Sequence, residues 1–127
     1  MYRLVRLIVL VAALLWGVAP AVAQKQAVQD SLNNRLALIA QLSQSGNYEQ
    51  AQVEVLAYRE TQRRHNIAIT PKALVLISNV FKANDDDRSA ARLLTEAELD
   101  ARRDPNPESK AALLTVLVKE CGRWEMP

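Results

Sequence analysis

Two groups of arginines are the residues of this chain most able to do chemistry together. Arg59, Arg63 and Arg64 lie within six positions, and Arg102 and Arg103 are adjacent. Clustered guanidinium groups hold carboxylates through paired, charge-assisted hydrogen bonds. The same residues would complement the dipole at a helix C-terminus, and Glu60 with Arg64 forms an i,i+4 pair. A structural role and a partner-binding role are therefore both open to them.

The remaining candidates point away from catalysis. Cys121 is the one cysteine, which excludes an internal disulfide framework and a cysteine-cluster zinc site. It has no Gly-x-Cys signature or paired acid, and His65, the one histidine, is distant in sequence. The thiol reads as buried or as a partner in a mixed disulfide rather than as a nucleophile. Asp85, Asp86 and Asp87 lack the alternating ligands, central glycine and distal glutamate of a calcium loop; they read as capping carboxylates at a helix N-terminus. The expectation is a protein that is not an enzyme, with no catalytic residue, no metal ligands and no cofactor.

The N-terminal segment, residues 1–23, reads as a secretory signal. Arg3 and Arg6 precede the uncharged apolar run Leu7 to Val18, Pro20 is expected to break the helix, and Ala21-Val22-Ala23 fits a small-x-small cleavage site. The run is shorter than the ~20 residues that cross a bilayer, and no cysteine follows to carry a lipid. Cleavage after Ala23 would leave a domain of residues 24–127, periplasmic or secreted. Its 104 residues carry fourteen basic and fourteen acidic side chains. A neutral chain gives no support for nucleic-acid binding. Membrane association is expected only if the segment stays uncleaved.

An exported domain of this size without disulfides must rest on packed helices. Leu32, Leu36, Ile39 and Leu42 recur at helical spacing, and Gly46 lies in the turn that follows. Tyr48, Ala51, Val55 and Tyr58 mark the next helix, which runs polar from Glu60 to Asn66. Ile67-Ala68-Ile69 has no strand partner and reads as an apolar linker that packs down. Thr70-Pro71 and Asn106-Pro107 are cap-and-proline helix starts. Leu74, Ile77 and Phe81 form the third stripe, Ala90, Leu93, Leu94 and Ala97 the fourth, and Leu113, Leu114, Leu117 and Val118 the fifth. The predicted helices are 30–45, 48–65, 71–83, 87–103 and 107–121.

These elements repeat. The two proline starts lie 36 residues apart, and Gln44 to Ala51 resembles Ala83 to Ala90 at an offset of 39. Lys119 to Glu125 looks like the start of a third copy. The Gly46-x-Tyr48-x-x-Ala51 turn and the Asp104-Pro105-Asn106-Pro107 stop resemble the tetratricopeptide repeat (TPR) family. So does the order of small and bulky residues Ser78, Phe81, Ala90, Leu94 and Ala97. The chain departs from the family in spacing, which is ~34 residues there, and in placing Ile39 and Tyr58 where small residues are usual. The resemblance implies an all-α fold of stacked antiparallel helix hairpins, about two and a half repeats, after the signal peptide.

Helical repeats build surfaces and carry no built-in chemistry. The expected function is therefore that of a small exported adaptor or scaffold that binds a protein partner in the cell envelope. Arg59, Arg63, Arg64, Arg102 and Arg103 would line one edge of it. The alternatives are a helical bundle held to the membrane by an uncleaved N-terminal anchor, and a small exported enzyme. Trp124 would either cap the last helix or stand open for a partner.

Overall fold

The structure is a computed structural model. It describes the backbone of residues 2–123 and the side chains of residues 22–123. The apolar run of the N-terminal segment and Trp124, with the readings made of them, lie outside the described side chains. Five helices follow one another: α1 (Tyr2–Gln44), α2 (Tyr48–Arg64), α3 (Pro71–Ala83), α4 (Asp87–Arg103) and α5 (Pro107–Arg123). No strand occurs among the described residues, so the all-α class holds and Ile67-Ala68-Ile69 is a linker. Ile69 is buried, as expected of a segment that packs down.

The first helix corrects the sequence reading. It was expected to begin near residue 30, after a break at Pro20, yet the helical backbone runs from Tyr2 through Pro20 to Gln44. A proline removes one rung of helical hydrogen bonding, at a cost of about 3 kcal/mol, and the turns on either side keep theirs. The chain divides within α1 into two compact units, Met1–Asn33 and Asn34–Pro127. In the first, exposed amide contacts run along the helix, from Gln26 to Asp30 at 2.9 Å and from Gln29 to Asn33 at 3.3 Å. The core and the grooves described below belong to the second.

Local chemistry sets the helix ends. The turns after α1, α2 and α3 each hold one residue in the left-handed region: Gly46 (φ 77°), Asn66 (φ 57°) and Asp85 (φ 53°). In each, the next N–H reaches back five residues to a helical carbonyl, from Asn47 to Leu42, Ile67 to Gln62 and Asp86 to Phe81, all at 2.9 Å. This closure satisfies carbonyls that the helix end would otherwise leave free. Asn and Asp tolerate the conformation that Gly46 adopts without strain. At the starts, Thr70 accepts from the Ala73 N–H, Asp86 from Ser89 and Asn106 from Glu108. Pro71 and Pro107 occupy first-turn positions whose missing N–H has no helical acceptor to lose.

The core follows the predicted stripes. Ala51, Val55 and Tyr58 of α2, Leu74, Ile77, Val80 and Phe81 of α3, and Leu93 and Leu94 of α4 are buried, with Leu113 and Leu117 of α5. Ala73, Ala90, Ala97 and Ala101 are essentially without exposure, as small residues must be where helix backbones approach closely. Helix α3 packs on α2, α4 and α5, and α4 packs on α5. Two polar bridges join the successive turns. Gln52 donates to Asp86 at 2.9 Å, and the Asn84 amide donates to the Tyr48 carbonyl at 3.0 Å. Two stripe members differ from expectation: Tyr48 lies at the rim and Val118 is largely exposed.

Candidate functional site

The arginines of α2 come from the last two turns of a helix whose final residues face the end of α4. Arg59 does not reach the surface edge expected of it. It is buried, donates to the Gln62 side-chain oxygen at 2.7 Å, and pairs with Glu96 of α4. Arg63, one turn further on, bonds both oxygens of the same carboxylate, at 3.1 and 3.3 Å. A buried guanidinium requires a counter-charge and hydrogen bonds, and Glu96 with Gln62 supplies them. Burial pushes the Glu96 carboxyl pKa up, but hydrogen bonds and charge from Arg59, and then Arg63, outweigh it and hold the group below the ordinary glutamate range.

Around this cluster lies an open groove of about 640 Å³, between the C-terminal ends of α2 and α4 and the linker 65–70. Arg59, Arg63 and Arg103 line it, so the ends of the two helices do bring three of the five predicted arginines together. Arg64 and Arg102 are not in its lining. Each is exposed and pairs along its own helix, Arg64 with Glu60 at 3.7 Å and Arg102 with Glu98 at 2.6 Å. Exposed i,i+4 pairs of this kind contribute a few tenths of a kcal/mol at most.

Arg103 differs from the rest. It is exposed, it lines the groove, and its side chain has no ion pair or hydrogen bond among the described residues. Leu99, one turn before it, is 47% exposed in the same lining. Asp100 and Asp104 bring two carboxylates. Asp100 accepts from the Ile69 N–H at 3.1 Å and pins the linker, and Asp104 accepts from the Asn106 N–H at 2.9 Å. The groove therefore presents two solvent-facing guanidinium groups, Arg63 and Arg103, beside an apolar side chain. That arrangement suits recognition of carboxylate and apolar groups together.

Sequence reasoning missed Glu96 and Asp100. A signal for Glu96 was present: it follows Arg59 by 37 residues, within the 36–39 offset of the repeated turns. Elsewhere, Cys121 is a half-buried free thiol, and no group of three acidic, His or Cys residues among those described could hold a metal ion. Asp86 caps α4, and hydrogen bonds from Ser89 lower its carboxyl pKa.

A second groove, of about 450 Å³, lies between the end of α1, the start of α2, the second half of α3 and the end of α5. Arg123 lines it and pairs at 3.2 Å with Glu120, a buried carboxylate that accepts from the Ser78 hydroxyl at 2.8 Å. Among the residues whose side chains are described, no helix is long and apolar enough to cross a membrane. No family profile, curated protein sequence or solved structure matches the chain.

Proposed function

We propose that the chain is a small exported adaptor of the tetratricopeptide-like kind, which holds a segment of a protein partner in the groove between the ends of α2 and α4. The observation that carries this reading is Arg103, a guanidinium without a partner among the described residues, set beside exposed Leu99 in an open groove. Arg63 adds a second, half-exposed guanidinium. The segment it fits has a carboxylate side chain next to an apolar one. The repeat reading rests on the Gly46-x-Tyr48-x-x-Ala51 turn, the Asp104-Pro105-Asn106-Pro107 stop and the 36- to 39-residue offsets of the sequence. Export is supported by the charged start, apolar run and Ala21-Val22-Ala23 of the N-terminal segment.

The test is crosslinking in the cell followed by mass spectrometry, with tagged wild type, Arg103→Gln and Arg102→Gln compared side by side. The partner recovered with wild type should be lost with Arg103→Gln and kept with Arg102→Gln, at unchanged melting temperature. Equal recovery with both variants sinks the groove reading. Intact mass of the same material reports on export: a chain beginning at Gln24 agrees with it, and a full-length chain embedded in the membrane contradicts it.

A further inference from the structure

Helix α5 buries one face and leaves another open. Leu113, Leu117 and Glu120 are buried on the side that meets α3 and α4. On the opposite side Ala111, Thr115, Val118 and Gly122 are exposed and Leu114 is half-buried. These positions recur at three- and four-residue spacing, so they make one uncharged stripe along the helix. Val118, 72% exposed, is the most exposed large apolar side chain among the described residues. A solvated helix face normally carries charge there, and this one does not.

The charges lie beside the stripe, and their order is informative. Glu108 and Lys119 are both exposed, neither has an ion pair among the described residues, and they are eleven residues apart. Eleven residues are three turns, about 16 Å, so both fall on the same flank of the stripe. Two copies of α5 laid antiparallel, stripe to stripe, bring equal flanks together. Each Glu108 then faces the Lys119 of the other copy, and the symmetry axis passes between residues 113 and 115. A parallel arrangement loses this match and sets like charges at the same height.

We propose that the open face of α5 is a self-association surface, on which a second copy of this chain docks antiparallel with Leu114 and Thr115 next to the symmetry axis, Val118 about 7 Å from it and two Glu108–Lys119 pairs at its rim. The contact is isologous, as a twofold pair requires. One helix face per copy falls below the ~800 Å² per partner of a standard interface, so the dimer is weak and forms at high micromolar concentration.

The experiment is sedimentation of the full chain as the cell delivers it, from about 10 to 300 μM, with disulfide trapping alongside. A concentration-dependent dimer is expected, and Val118→Glu should weaken it at least tenfold with the melting temperature unchanged, since Val118 makes little intrachain contact. Glu108→Lys should weaken it several-fold, and the double variant Glu108→Lys with Lys119→Glu should restore it. Thr115→Cys in a Cys121→Ser background should trap the dimer under oxidation, because position 115 lies near the axis, whereas native Cys121 should not trap it. A chain that stays monomeric throughout this range overturns the proposal, as does a dimer indifferent to Val118→Glu. Efficient trapping through Cys121, which lies about a quarter turn around the helix from the stripe, would place a different face in the contact and would equally overturn it. If Val118→Glu removes a different protein in the crosslinking experiment while the chain remains monomeric, the face serves that protein and the proposal fails.

Discussion

The two polar nodes of the helical unit are built with opposite signs. At the ends of α2 and α4 the buried group is a cation: the Arg59 side chain is 8% exposed, and its counter-ion Glu96 is 30% exposed. Between α3 and α5 the buried group is an anion: the Glu120 side chain is 4% exposed, and its counter-ion Arg123 is 40% exposed. In both, one member sits in the interior and the other at the solvent rim. They differ in where the counter-charge comes from. Glu96 reaches Arg59 from another helix, 37 residues on, while Arg123 reaches Glu120 from one turn away on the same helix. The first node therefore ties α2 to α4 electrostatically. The second ties α3 to α5 through an uncharged donor, the Ser78 hydroxyl, and its ion pair is local.

That difference sets an order of consequences. Glu96→Ala should be the most damaging change, because Arg59 remains buried with only Gln62 to receive it. Orphaning a buried charge costs about 3 kcal/mol or more, which for a domain of this size is a fall in melting temperature of more than about 10 °C. Thermal unfolding followed by circular dichroism measures it. A drop no larger than that of Arg102→Gln would show that Arg59 is solvated in the absence of Glu96, and the contrast between the nodes would vanish.

Next in size is Ala90→Leu, which tests whether the packing around the nodes is as tight as they require. Ala90 is 1% exposed, and overfilling such a contact costs about 1–3 kcal/mol. Arg92→Leu, on the exposed side of the same helix, should leave the melting temperature within about 2–3 °C of wild type, since surface changes are usually worth no more than about 0.5 kcal/mol. Ser89 is a poorer control, because it is half-buried and its N–H is held by Asp86.

Arg123→Ala should cost less, about 1–2 kcal/mol, because Arg123 leaves from the solvent rim, where water can take its place, and the Ser78 hydroxyl still donates to Glu120. A loss as large as that of Glu96→Ala would show that the buried anion depends on Arg123 as strongly as the buried cation depends on Glu96. The smallest effect is in the acid limb of stability. The folded pKa of Glu96 lies below its unfolded value, which is about 4.3. The folded state then binds fewer protons, so the contribution of Glu96 is complete above that unfolded value and is lost as pH falls through the folded pKa. Wild type should therefore lose more stability than Glu96→Gln as pH falls from about 5 towards 3, and parallel profiles would contradict the assignment.

Much of the fold was legible because its signals are local. Thr70-Pro71 and Asn106-Pro107 mark the starts of α3 and α5 through cap geometry that a few consecutive residues determine. Apolar spacing identified Ala51, Val55, Leu74, Ile77, Ala90 and Ala97 as interior, and all are buried. Spacing gives a face without saying whether anything covers it, which is why Val118 was grouped with Leu117 although only Leu117 is buried. Composition around Pro20 suggested a stop, but a single missing hydrogen bond does not by itself end a helix.

The arginine site divides in the same way. The sequence by itself determined that two sets of cations stand at the ends of α2 and α4, since helix limits follow from capping and periodicity. Only the tertiary structure decided their fates. Arg59 went into the interior because Glu96 of α4 meets it there, Arg64 and Arg102 were spent on glutamates of their own helices, and Arg103 was left open to the groove. The reason is physical: a local pair is fixed by helix geometry and can be read from spacing, whereas the burial of a charge depends on which group the packing of another helix brings within hydrogen-bonding reach.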